Sequence, residues 1–200
     1  MSPARAEAPI LVVGFGPFLD VRDNPAARLA LGVDGADIGG VPVIGREIPV
    51  SYERGVQETL ALVGQTRPRA VVGLGLAVKR TCVSVERWGR NRAASSMEDV
   101  DGARLSVLEV DGPERAGSTA PVEALARALG ALVSEDAGGY VCNAWLYRVV
   151  RALGAPGAPE VVFVHLPWEG LAPSRFRVAL TELWSSPSTR SSPQETPSPE

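Results

Sequence analysis

Arg69-Ala70-Val71-Val72-Gly73-Leu74-Gly75 is a short apolar run that follows Pro68 and closes on glycine. A continuous run of this length, without polar alternation, is the pattern of a strand buried on both faces. Working back from it, Pro9-Ile10-Leu11-Val12-Val13 shows the same pattern, and Val41 to Val50 reads as a strand after the turn-rich segment 35–40. Asn24-Pro25 marks a helix running to about Leu31, with Asn at the N-cap and Pro at the first helical position. Ser51-Tyr52-Glu53-Arg54 opens a second helix, whose Val56, Leu60 and Val63 share one face and which ends near Gln65. Strand, helix, strand, helix, strand within the first 75 residues indicates an α/β fold with a mainly parallel central sheet.

Working forward, Thr81 to Trp88 alternates well enough for a strand. The polar stretch from Asn91 to Thr119, with turn signals at Asp101-Gly102 and Asp111-Gly112, is expected as a surface excursion holding a short hairpin around Arg104–Val110. Pro121 begins a helix with Val122, Leu125, Ala126, Leu129 and Leu132 as its apolar positions. After Ala137-Gly138-Gly139, the residues Val141, Trp145, Val149, Ala152 and Leu153 are spaced for one helix face. Val161-Val162-Phe163-Val164 reads as a strand ending at His165, and Ala172 to Trp184 as a last helix with Phe176, Leu180 and Leu183 in a stripe. Residues 1–8 are expected as a loose arm and 9–184 as one α/β domain. Residues 185–200 hold only Ser, Pro, Thr, Arg, Gln and Glu, and are expected to be a disordered tail because they bury too little to offset ordering entropy.

The 45% hydrophobic content suffices for one substantial core. A net charge of -3, with Lys79 the only lysine, gives no reason to expect a nucleic-acid partner. No run approaches the roughly 18 apolar residues of a membrane span, and residues 1–8 lack the apolar core of a secretory signal. Cys82 and Cys142 form neither a disulfide framework nor a zinc spacing, so a reducing cytoplasm and no metal site are expected.

The chemistry-bearing residues lie at the ends of these elements. Cys142 falls in the first turn of its helix, where free N–H groups and the dipole favour a thiolate. His165, the only histidine, ends a strand. An ordinary thiol, with a pKa of about 8.5, is only slightly ionised at neutral pH. Lowering that value by two units needs roughly 2.7 kcal/mol, of which a helix end supplies about 0.3–1 kcal/mol, so an imidazolium from His165 is expected to provide the rest. Glu86, alone in an apolar strand, is the local candidate to orient the ring. Each residue also has an ordinary structural reading. A lone Cys is often a small buried hydrophobe, a lone His a satisfied structural residue, Phe15 and Phe18 core residues, and Glu86 the partner of Arg87 or Arg80. Cys82 is expected to be structural.

Six motifs taken together resemble the pyroglutamyl peptidase I (pyrrolidone-carboxylate peptidase) family of cysteine peptidases. In chain order they are Gly14-Phe15-Gly16-Pro17-Phe18 with Asn24-Pro25, Glu47 to Tyr52, Gly73-Leu74-Gly75, Val83 to Arg87 with Asn91, Ala137 to Asn143, and His165-Leu166-Pro167. The resemblance implies a three-layer α/β/α sandwich and a cytoplasmic exopeptidase that removes N-terminal pyroglutamate from peptides without metal or cofactor, commonly as a dimer or tetramer. It makes Cys142 the nucleophile, His165 the base and Glu86 the residue orienting the imidazole. Phe15, Phe18 and Tyr140 would grip the lactam, and Arg87 would assist at the oxyanion or in orientation. Leu76 stands where relatives carry a lactam-recognising glutamine, and Val78 and Lys79 replace glycines. These departures leave two alternatives, a thiol hydrolase of another N-acyl or lactam-like substrate and a non-catalytic ligand-binding member.

Overall fold

The computed structural model describes residues 8–94 and 96–185. The expected arm, apart from Ala8, and the expected tail, apart from Ser185, lie outside the described residues. Eight strands and five helices follow one another as β1 (Ile10–Phe15), α1 (Pro25–Gly32), β2 (Val43–Ile48), α2 (Arg54–Thr66), β3 (Ala70–Leu76), β4 (Ser84–Glu86), β5 (Trp88–Arg90), β6 (Arg115–Gly117), α3 (Val122–Leu129), β7 (Leu132–Ser134), α4 (Val141–Leu153), β8 (Glu160–Leu166) and α5 (Pro173–Trp184).

Six strands form one sheet in the order β2-β1-β3-β8-β4-β7, while β5 and β6 form a separate antiparallel ribbon. In the large sheet only the β4–β8 pair is antiparallel. The runs β1, β3 and β8 are buried along nearly their whole length because helices cover both faces. One face packs against α1, α3 and α5 through Leu29, Leu125 and Phe176. The other packs against α2 and α4 through Val56, Trp145 and Val149. The result is the expected α/β/α sandwich.

Local chemistry sets the element ends. Asn24 caps α1 by accepting the Ala26 N–H at 3.0 Å, and its amide donates to the Gly16 carbonyl at 2.9 Å, which ties the Gly16–Phe18 loop to the helix start. Helix α3 stops at Gly130 in the left-handed region, so Leu132 leaves the helix face and enters β7 instead, 62% exposed. The run expected as one strand from Thr81 to Trp88 divides at Arg87. The hairpin expected around Arg104–Val110 is instead an irregular loop. Asn91 holds it: its side-chain oxygen accepts the Leu108 and Glu109 N–H groups, and its amide donates to the carbonyls of Glu109 and Gly112. Asn143 on α4 fastens this region to the helix, accepting the Arg90 N–H at 2.7 Å and donating to the carbonyls of Arg90 and Arg92.

Helix α4 packs closely against β3. Added to Gly73, a Cβ would lie 2.5 Å from the Trp145 ring and 2.6 Å from Phe163; on Gly75 it would lie 2.8 Å from the Cys142 sulfur. Trp145 is fixed in this slot by its indole N–H, which donates to Thr59 Oγ1 at 2.9 Å. Gly73→Ala should therefore overpack the core and destabilise by about 1–3 kcal/mol. Gly64→Ala, on the exposed face of α2 with nothing near the added methyl, should instead gain up to about 1 kcal/mol. Urea unfolding midpoints measure both, and an unchanged midpoint for Gly73→Ala would contradict this packing.

Candidate active site

Three elements bring the sequence's candidate residues together. His165 sits near the end of β8, flanked across the sheet by Gly75 of β3 and Ser84 of β4. Residues two apart share a face, so Glu86 on β4 lies on the same face as Ser84 and His165, the one α4 covers. Gly75 leaves room for α4 to place the Cys142 sulfur on the sheet beside His165.

Glu86 is fully buried and its Oε1 lies 2.8 Å from His165 Nδ1. Burial alone would push the Glu86 carboxyl up. The hydrogen bond and charge of His165, with the charge of Arg80, outweigh that and hold it below its ordinary value. An ionised carboxylate can only accept, so Nδ1 carries a proton, and when the ring is neutral Nε2 keeps the lone pair of a base. The stabilisation from this carboxylate is present above the ordinary carboxylate range and is lost as the pH falls through its folded pKa. Arg80 binds the same Oε1 through Nη1 and is itself braced through Nη2 by the Asp136 carbonyl at 2.8 Å and Ser134 Oγ at 3.2 Å. The second carboxylate oxygen, Oε2, has no hydrogen-bond partner among the described residues.

Cys142 is the second residue of α4 and packs against the cluster beneath the helix. Its N-cap, Tyr140, makes no side-chain capping bond, and Ala144 is the first N–H to bond back, to the Tyr140 carbonyl. The N–H groups of Val141, Cys142 and Asn143 thus have no acceptor within the helix. Its surroundings oppose the expected thiolate. Burial first, and the Glu86 charge second, push the Cys142 thiol up to about 12, against the smaller opposing effects of its own N–H and Arg80. A helix terminus worth under about 1 kcal/mol cannot offset that desolvation. No hydrogen bond joins the thiol to His165 among the described residues.

A cavity of about 320 Å³ opens over these groups, lined by Phe18, Leu76, Met97 and Tyr140, by residues 77–80 and 137–139, and by Cys142 and His165. Its walls suit a small, mostly apolar group. The Tyr140 ring stands 6.5 Å from Phe18 and edge-on to Tyr52, and its hydroxyl donates to the Glu98 carbonyl at 2.7 Å. Phe15 does not line this cavity. It is 1% exposed and packs 6.1 Å from Phe163, behind the site. Arg87 points elsewhere too, pairing at 2.7 Å with each of Glu123 and Glu135 at the surface. Arg80, not Arg87, is the arginine on Glu86. Cys82 is exposed just before β4. Met97 and Ser134 were invisible to sequence reading, because neither belongs to a periodic run or a motif. Among the described residues no group of three or more His, Cys, Asp or Glu side chains could hold a metal ion, and no helix is long and apolar enough to cross a membrane.

Comparison with known proteins gives one consistent result. The family model described as pyroglutamyl peptidase matches residues 8–175. The pyrrolidone-carboxylate peptidase of Halalkalibacterium halodurans is 37% identical over 171 residues, covering 79% of this chain and 83% of the relative. That of Klebsiella pneumoniae is 33% identical over 168 residues, 80% and 78% of the two chains. Among solved structures, the pyrrolidone carboxyl peptidase of Thermococcus litoralis superposes with a TM-score of 0.78 at 27% identity, covering 87% of this chain and 90% of that one. The fold alone is matched by pyroglutamyl peptidase I of Bacillus amyloliquefaciens, with a TM-score of 0.81 at 20% identity over 89% and 93% of the two chains. The chain belongs to the pyroglutamyl peptidase family, a family of cysteine peptidases.

Proposed function

We propose that this protein hydrolyses the amide bond that follows an N-terminal pyroglutamyl residue, with Cys142 as nucleophile, His165 as general base and then acid, and Glu86 orienting the imidazole. The observation that carries the assignment is the 2.8 Å contact between His165 Nδ1 and the buried Glu86, with Cys142 and His165 lining one cavity. Phe18, Leu76 and Tyr140 form the walls that hold the lactam, and Phe15 supports them from behind through Phe163. Arg80 positions Glu86 and shares its charge.

The chemistry follows from the high thiol pKa. Sγ attacks the pyroglutamyl carbonyl carbon as His165 Nε2 takes the thiol proton, a transfer whose geometry tightens once substrate fills the site. The resulting imidazolium is stabilised by Glu86. The oxyanion lies at the open start of α4, where the Cys142 N–H is a donor. His165 then gives its proton to the leaving amine, the C–N bond breaks, and a thioester remains. Water, deprotonated by the same nitrogen, attacks the thioester and releases pyroglutamic acid with the thiol restored. The resemblance further supports action in the cytoplasm as a homo-oligomer, a dimer or tetramer, with residues 9–184 as the catalytic unit. Both cysteines are free, as a reducing compartment would leave them.

A second reading, hydrolysis of a different N-acyl or lactam-like group, is favoured by one observation. The side chain at the position of the relatives' glutamine is Leu76, which is buried in the cavity wall and offers no hydrogen bond. A lost hydrogen bond to a buried amide is worth roughly 1–3 kcal/mol. If pyroglutamate is the substrate, Leu76→Gln should change kcat/KM for a pyroglutamyl amide by less than about fivefold. A gain approaching about 100-fold would favour the second reading.

Fluorophore release from a pyroglutamyl amide tests the assignment directly. Cys142→Ala and His165→Ala should abolish release, Glu86→Gln should leave a small residual rate, and Cys82→Ala should be close to wild type. Full activity in Cys142→Ala would overturn it. The protonation state is checked separately, by the pH dependence of iodoacetamide alkylation at Cys142 in the substrate-free protein. The rate should keep rising past the ordinary thiol value of about 8.5, because the thiol titrates only toward about 12. A plateau below neutral pH would show a preformed thiolate.

A further inference from the structure

We propose that Lys79 is a specificity residue that selects substrates carrying a carboxylate just beyond the scissile bond. This deepens the peptidase reading and rests on it. The evidence is the charge inventory of the cavity. No carboxylate lines it, and its two permanent cations are Lys79 and Arg80. Arg80 is committed, bound to Glu86 and braced by Asp136 and Ser134. Lys79 is not: its exposed side chain makes no hydrogen bond or ion pair with any described residue. It is also the only lysine in a chain of net charge -3.

The loop holds this charge in place. The Ala77 N–H donates to the Leu166 carbonyl on β8 at 2.9 Å, the Arg80 N–H donates to the Ala77 carbonyl at 2.9 Å, and Arg80 anchors the far end on Glu86. The backbone of Lys79 is thus pinned between two fixed points, while its ammonium, a compact charge on a flexible stem, remains free to reach a ligand. A pyroglutamyl group is a neutral lactam and gives that charge no counter-ion. The anion must belong to the departing portion of the substrate.

The position of Lys79 agrees. Besides the acyl cavity it borders a second concavity of about 480 Å³, formed with Thr81, Cys82 and residues 132–136, which neither Cys142 nor His165 lines. The two acids there are already engaged, Glu135 by Arg87 and Asp136 by Arg90. Lys79 therefore stands on the ridge between the acyl slot and a groove able to receive the leaving peptide. Two sources supply the same chemistry: the side chain of an acidic residue directly after pyroglutamate, or the terminal carboxylate of a pyroglutamyl dipeptide.

Three substrates separate these possibilities: pyroglutamyl-alanine amide, pyroglutamyl-alanine with its free carboxylate, and pyroglutamyl-glutamate amide. In the wild type, at least one anionic substrate should exceed the neutral amide in kcat/KM by about fivefold, the size of a partly exposed ion pair. The favoured one identifies the source. The ratio should fall toward one in about 1 M salt, where screening is nearly complete. It should fall likewise in Lys79→Met and drop below one in Lys79→Glu, whatever happens to the absolute rates. Ratios of one in the wild type, or a preference that survives Lys79→Met, would overturn the proposal while turnover of the neutral amide left the peptidase reading intact. If no substrate is turned over, the peptidase reading fails by itself. The same ratios are then taken from protection of Cys142 against iodoacetamide, where equal protection by charged and neutral ligands overturns the Lys79 assignment.

Discussion

The structure depends on how closely α4 approaches β3. Two glycines, Gly73 and Gly75, present bare backbone where any other residue would meet Trp145, Phe163 or the Cys142 sulfur. That approach does two jobs at once. It buries the Trp145–Phe163 pair, whose rings lie 5.4 Å apart, and it carries the first turn of α4 down onto the strand ends. The ends of parallel strands are where an open α/β sheet offers a site. Here the glycine-lined contact sets the height of the sulfur above His165, so packing and chemistry share one constraint.

The electrostatics of the site follow from burying one carboxylate. Glu86 is desolvated, and Arg80 and His165 compensate it on a single oxygen. The carboxylate still sets a negative potential at both His165 and Cys142. That potential fixes the imidazole tautomer and favours an imidazolium, yet it opposes a standing thiolate. The two effects have one origin and opposite signs: the carboxylate that would stabilise an imidazolium is the one that raises the thiol. A preformed ion pair would need the thiol to be more exposed, or Glu86 to be better neutralised.

Much of this was legible in the chain. The runs at Ile10, Ala70 and Glu160 are buried on both faces and announce strands by themselves, while Asn24-Pro25 announces a helix. Of the four three-residue strands only β4 was legible, because β5, β6 and β7 are too short for periodicity to register and take their partners from distant segments. The excursion after Asn91 owes its shape to one side chain binding four backbone groups, which no local pattern encodes. At the site, Cys142, His165 and Glu86 could be picked out as residues whose types fit together. Neighbourhood in sequence misled at Arg87, since adjacent strand residues face opposite ways, whereas Arg80 returns to Glu86 through a turn. The raised thiol pKa was out of reach, because a helix start is visible in sequence and the depth of burial is not.

In the mechanism we propose, a thiol that is neutral at rest becomes covalently acylated during turnover. The most direct measurement is mass spectrometry of the protein quenched in acid while turning over a pyroglutamyl amide. A thioester through Cys142 requires that the peptide containing Cys142, and not the one containing Cys82, gain the mass of one pyroglutamyl group less a hydrogen, and that hydroxylamine remove it. Steady turnover with Cys142 never modified would contradict covalent catalysis by this residue.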